Sequence, residues 1–251
     1  MIRYFFAFWR DIPQEFVFQT WDFPHIASIL AILILLCVGL IAMRFATKKT
    51  ARKILMVFAI IEPLLEISHI IWLFQVGETN LYKLLPLHLC TLQMFFIPLA
   101  VFSRLPSVRE FTFFSAILGG IFAIVSPVGV AGKYPFFHFQ TLQTLLLHAF
   151  LIFIPLAMLL YDDFYPRLRN FPKVILIALV AIVPTAVIDI VSNENYMFFC
   201  APPEGTFLEP LFLRFGGHCY RIVLAALLIS LVFLLYLPFE FFRKKGFTKQ
   251  R

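Results

Sequence analysis

Seven apolar runs of about twenty residues dominate this sequence, and each could carry a helix across roughly 30 Å of hydrocarbon at ~1.5 Å per residue. They lie at about 25–43, 54–76, 82–102, 110–128, 138–160, 174–192 and 218–242. Hydrocarbon offers no water to backbone N–H and C=O groups, so a spanning segment satisfies them internally, as a helix. The expected fold is therefore all-α: a polytopic membrane protein with a seven-transmembrane-helix bundle over 25–242, an interfacial segment over 1–24 and a basic tail over 243–251. Pro63, Pro155 and Pro184 fall mid-span, where kinks are expected. Only 14% of the 251 residues are charged and mean hydropathy is +0.91. That is too few charges to wet a soluble domain's surface, and too many apolar residues for a disordered chain.

The charges that remain report topology. Lys and Arg accumulate on the cytoplasmic side of membrane proteins. Fifteen follow spans one, three, five and seven, among them Arg44, Lys48, Arg104, Arg167 and Arg243, and six lie on the other side. This predicts the N-terminus outside and the C-terminus inside. The net charge of +7 is then a topology signal, with attraction to membrane lipids secondary and no nucleic acid as partner. The first 24 residues lack a cleavable leader's small-residue site and carry Asp11, Pro13 and Glu15, so the aromatic stretch Tyr4–Trp9 is placed along the interface. Tyr161, Tyr165 and Tyr236 are expected at the inner boundary.

An ionisable group inside a bilayer costs at least ~2.5–3.5 kcal/mol on insertion scales, so each needs a partner, a cavity or a function. Span two contains EPLLEISH, placing Glu62, Glu66 and His69 on one helical face. Span three contributes His88, Cys90, Thr91 and Gln93. In span five Gln140, Thr144 and His148 share a face, and span six ends with Asp189. Counting from the span ends puts His69 and Cys90 roughly 10 Å, and Glu66 and His148 roughly 15 Å, below the outer boundary. An outward-facing polar pocket is expected there.

Cys90 alone among four cysteines sits at that depth, and a thiol becomes nucleophilic beside a base. His148 and His69 are the candidate bases. His88, two residues from Cys90, would face away on a regular helix, and Gln93 or Thr91 could donate to an oxyanion. The alternative is a transporter or receptor that uses Glu62, Glu66, His69 and Asp189 for protons or a cation without covalent chemistry. No paired-histidine spacing suggests a metal, no cofactor is indicated, and span seven lacks the lysine a retinal Schiff base needs. Cys200 and Cys219 flank a Pro- and Gly-rich outer segment suited to a lid carrying Phe207, Leu208, Leu211 and Phe212, and a disulfide there is an option in an oxidising compartment. The pairs Ser115/Gly119 and Ala116/Gly120 are spaced for close helix packing.

Three blocks, LPLHLC (85–90), FQTLQTLLLHAFLIFIPL (139–156) and NYMFFCAPPEGT (195–206), resemble the YwaF-like bacterial integral membrane proteins. These are related to the animal transmembrane protein 164 group, whose activity is cysteine-dependent transfer of acyl chains between phospholipids. The resemblance implies that Cys90 is the nucleophile and His148 a base, that the substrate is a phospholipid, and that the chain resides in the bacterial cytoplasmic membrane. GGHCY (216–220) departs from the Trp-Pro-Trp-Tyr-like stretch expected there.

Overall fold

The computed structural model describes residues 2–203, 206 and 208–245. Gly205, Phe207, Lys249 and Arg251, which figure in the expected lid and tail, lie outside the described residues. The chain forms eight α-helices among those residues: α1 (Phe23–Arg44), α2 (Lys48–Gln75), α3 (Leu81–Leu84), α4 (Gln93–Ser103), α5 (Pro106–Val125), α6 (Phe139–Tyr161), α7 (Phe171–Ser192) and α8 (Glu209–Lys244). Six are long and apolar enough to cross a membrane: α1, α2, α5, α6, α7, and α8 from Cys219 onward. Local chemistry starts several of them. The Asp22 carboxylate accepts from His25 N–H at the head of α1, Thr47 Oγ1 from Thr50 N–H at α2, and the His138 ring from Gln140 N–H at α6. Helices α2, α6 and α7 run through Pro63, Pro155 and Pro184, and α8 breaks at Gly216, whose φ of +70° suits only glycine.

The expected third span, 82–102, is where the structure departs from a regular helix. Only α3 and the eleven-residue α4 form there, and 85–92 is a non-helical stretch of turns. Pro86 explains the stop. It holds Leu85 in extended geometry (φ −73°, ψ 131°) and donates no hydrogen bond. Irregular backbone at membrane depth persists only where protein buries it or a polar cavity meets it.

Helices α5 and α6 are central and bury more than half of their apolar windows; α1, α7 and α8 present Leu30, Ile34, Val183, Ile190 and Ile222 outward. The core packs α2, α4, α5 and α6 against one another. Gly120 permits the closest approach, because a Cβ there would meet Ile152 Cγ1 at 2.8 Å and the His148 carbonyl at 3.0 Å.

Each end of the bundle is tied by polar contacts. At one end Trp72 Nε1 donates to the Phe6 carbonyl (2.9 Å), His138 Nε2 bonds the Ala7 carbonyl (3.0 Å), Phe18 N donates to Tyr134 O (3.2 Å), and Asn80 Nδ2 reaches Glu194 Oε1 (3.1 Å). At the opposite, basic end Asp162 accepts from Arg109 Nη2 (2.6 Å) and Arg52 Nη1 (2.9 Å), with Arg104 Nη2 at 3.4 Å. Tyr236, expected at an interface, is instead fully buried and donates to Glu110 Oε2 at 2.6 Å. A phenol can enter a core when its hydroxyl has a partner there, and Glu110 supplies it.

Candidate functional site

Glu66 is the hub. It lies on α2 one turn from His69, whose Nδ1 is 3.6 Å from its Oε1, and it interacts electrostatically with His88, Cys90 and His148. One carboxylate thus lies within electrostatic range of three histidines and the cysteine singled out in the sequence. Glu62, one turn earlier, is fully buried, and neither of its carboxylate oxygens has a partner among the described residues.

The hydrogen-bond partners fix how the histidines are used. The Nδ1 of His148 is 2.7 Å from the Thr144 carbonyl, which can only accept, so Nδ1 carries the proton. Its Nε2 is buried and has no partner among the described residues. In a neutral ring that atom is a bare lone pair. His69 differs: Gln140 Nε2 donates to its Nε2 (3.2 Å), which occupies the basic nitrogen. Of the two candidate bases, His148 is the one with a free acceptor. Thr144 serves through its carbonyl, while its hydroxyl donates to Gln143 Oε1 at 3.4 Å.

Cys90 stands in the turn before α4. A Cβ built on Gly119 of α5 would lie 4.0 Å from the Cys90 Cβ, and neighbouring Gly120 abuts the His148 carbonyl. Two adjacent glycines therefore let the cysteine turn and α6 approach the same stretch of α5. Because 88–92 is a turn, the 200° helical offset that set His88 apart from Cys90 does not apply. His88 is held by another neighbour: its Nδ1 accepts from Met197 N (3.2 Å), and its ring contacts Tyr196 and Phe198.

Two expected oxyanion donors are otherwise engaged. The amide NH₂ of Gln93 donates to the Leu89 carbonyl (3.1 Å) and Ser115 Oγ (3.0 Å), and Thr91 Oγ1 donates to the His88 carbonyl. Asp189 also stands apart. Its Oδ1 accepts from Tyr196 N (2.9 Å), so it holds the segment 195–201 rather than joining the glutamates. That segment is a strap: Asn195 Oδ1 accepts from Cys200 N and Ala201 N, and Asn195 Nδ2 donates to the Ala201 carbonyl. Burial, with Glu194 and Asp189 nearby, pushes the Tyr196 hydroxyl up to about 12, so it stays neutral. Beyond the strap, Leu208, Tyr220 and Leu224 form a small cluster with Phe199, Leu211 and Phe212. Cys200 and Cys219 are both free thiols, so the disulfide option is not taken.

Buried polar atoms without partners concentrate in this region: both Glu62 oxygens, Glu66 Oε2, Gln93 Oε1, Gln140 Oε1 and His148 Nε2. Each costs ~1–3 kcal/mol unless a polar guest or water offsets it. Among the described residues no three of His, Cys, Asp and Glu are placed to hold a metal ion. Gln143, which donates to the Leu65 carbonyl (3.1 Å) and so fastens α6 to α2, was missed in the sequence. The signal was its position three residues after Gln140, on the adjoining face.

These features extend over most of the chain, and so does its likeness to known sequences. Neither the comparison with curated proteins nor that with solved structures gives a match. The family model described as the TMEM164 family matches residues 18–237. The chain is a multi-pass membrane protein and belongs to the TMEM164 family.

Proposed function

We propose that the protein is a cysteine-dependent phospholipid acyltransferase, a YwaF-like member of its family in the bacterial cytoplasmic membrane, with Cys90 as nucleophile and His148 as general base. The observation that carries this reading is the fixed His148 tautomer with its buried, unpartnered Nε2, on a residue that meets α5 at Gly120, next to the Gly119 that meets Cys90. Nε2 takes the thiol proton as Sγ attacks the ester carbonyl of a donor phospholipid. The N–H groups of Cys90 and Thr91 stabilise the oxyanion, the ester C–O bond breaks, and the departing lysophospholipid oxygen receives the proton. The acyl chain is then a thioester on Cys90. A second lysophospholipid hydroxyl loses its proton to His148 and attacks that thioester, which releases the acyl chain and restores the thiol.

Topology is part of the proposal. Arg52, Arg104, Arg109 and Asp162 meet at one end of the bundle while 72–80 meets the N-terminal segment at the other, so 81–103 connects opposite ends. The chain then crosses seven times, the third crossing being the broken pair α3 and α4. The basic end is cytoplasmic and the N-terminus outside. The cysteine turn interrupts that third crossing, where an ester could arrive laterally from the bilayer.

Purified protein with defined donor and acceptor lipids tests the chemistry. Cys90→Ala should abolish transfer, and His148→Gln should lower it by roughly 10²–10⁴-fold; turnover retained in Cys90→Ala would overturn the reading. The unpartnered Glu62 oxygens favour a second reading, proton or cation binding without covalent chemistry. That reading predicts loss of ion-coupled transport in Glu66→Gln and tolerance of Cys90→Ser.

A further inference from the structure

We infer that the cavity at the basic end of the bundle is a binding site for a phosphate group. The cavity, of about 930 Å³, is lined by Arg104, Arg109, Arg167, Arg169 and Arg243, and an adjoining recess adds Lys173. These five arginines line one hollow. Three already have carboxylate partners: Arg104 and Arg109 at Asp162, and Arg243 at Glu240. Arg167 and Arg169 have no side-chain hydrogen bond or ion pair among the described residues and are available to a ligand.

Two further observations point to an anion. Helices α5 and α7 both begin here, and neither Leu105 nor Asn170, their N-cap residues, caps its helix with a side chain. Pro106 and Asn170, at those two helix starts, line the cavity, so the positive ends of two helix dipoles meet the arginines. Arg109 lines the same cavity. It is 4% exposed and stacked on Phe164, and its Nε has no partner. The two acidic groups in the wall are already engaged: Glu110 accepts from Tyr236, Asn170 and Arg167 N, and Asp163 pairs with Lys48.

Phosphate suits this array better than a carboxylate. Its tetrahedral oxygens accept from several guanidinium forks at once. The phosphate could belong to a lipid headgroup at the bilayer edge or to a soluble phosphate ester. The inference is independent of acyl transfer, because its readout is binding.

The test uses the full chain in neutral detergent, with Kd measured for dihexanoyl phosphatidic acid, glycerol 3-phosphate and, as the phosphate-free control, dihexanoylglycerol. Arg167→Ala/Arg169→Ala should weaken phosphate binding by about tenfold or more. Lys49→Ala/Lys53→Ala removes the same charge from the same end outside the cavity and should leave binding within about twofold. Binding of phosphatidic acid alone identifies a lipid headgroup as the source; comparable binding of glycerol 3-phosphate identifies a soluble ester. Single Arg167→Gln and Arg169→Gln variants, each expected to weaken binding, decide the matter if the double variant does not fold. Equal weakening by the lysine and arginine pairs, binding unaffected by the arginine changes, or no preference over dihexanoylglycerol would overturn the site.

Discussion

At the scale of single residues, the site depends on two glycines with opposite tolerance. A methyl group at Gly120 would press on Ile152 and on a backbone carbonyl of α6, which cannot swing aside. Gly120→Ala should therefore destabilise the protein by about 1–3 kcal/mol, partly offset by alanine's better helix propensity. At Gly119 the nearest neighbour is the Cys90 Cβ at ordinary contact distance, so Gly119→Ala should keep or slightly raise stability. Melting temperatures of the two variants in the same detergent check this; equal losses would mean α5 and α6 are less tightly apposed. The same scale separates the histidines. All are visible in the sequence, but only hydrogen-bond partners reveal that His69 has its basic nitrogen occupied, that His88 holds the strap and that His148 keeps a bare Nε2.

Among the elements, the strap and the broken third crossing are coupled. Residues 195–201 are closed by Asn195 and joined through Met197 N to His88, two residues from Cys90. Tyr220 Oη donates to the Phe198 carbonyl and ties the same strap to α8. Asn195→Ala removes three hydrogen bonds worth about 1 kcal/mol each. Local opening should rise tenfold or more, read as faster amide exchange over 196–201 with little change in the melting temperature. Unchanged exchange would show that His88, Asp189 and Tyr220 hold the strap without Asn195. The hydropathy of 82–102 concealed the break, because a window average does not see that Pro86 removes a donor and holds its predecessor extended.

Across the whole molecule, Asp162 knits the basic end together. It gathers Arg52, Arg104 and Arg109 from α2, the α4–α5 junction and α5, and both it and Arg109 have side chains only 5% exposed. Removing one member of such a group strands buried charge, at a cost of about 3–5 kcal/mol. Asp162→Asn should lower the melting temperature markedly, while Lys48→Ala, which breaks the exposed pair with Asp163, should change it little. Similar shifts for the two would mean that the Asp162 cluster is solvated. The sequence placed Arg52, Arg104 and Arg109 on one side by charge bias, but Asp162 stood unnoticed beside Asp163, with nothing local to tell a buried carboxylate from an exposed one.

The sequence alone determined that the chain is helical and resides in a membrane, because those properties follow from the length and hydropathy of contiguous runs and from where cations fall between them. It also determined which polar residues are costly enough to matter: Glu62, Glu66, His69, His88, Cys90 and His148. Only the tertiary structure decided which of these share a neighbourhood, which nitrogen is free, that Asp189 serves the strap, and that Gln93 and Thr91 have their donors engaged. Helix faces converge according to packing between segments distant in the chain, and a proton's position on an imidazole depends on the atom across from it; neither is encoded in local spacing.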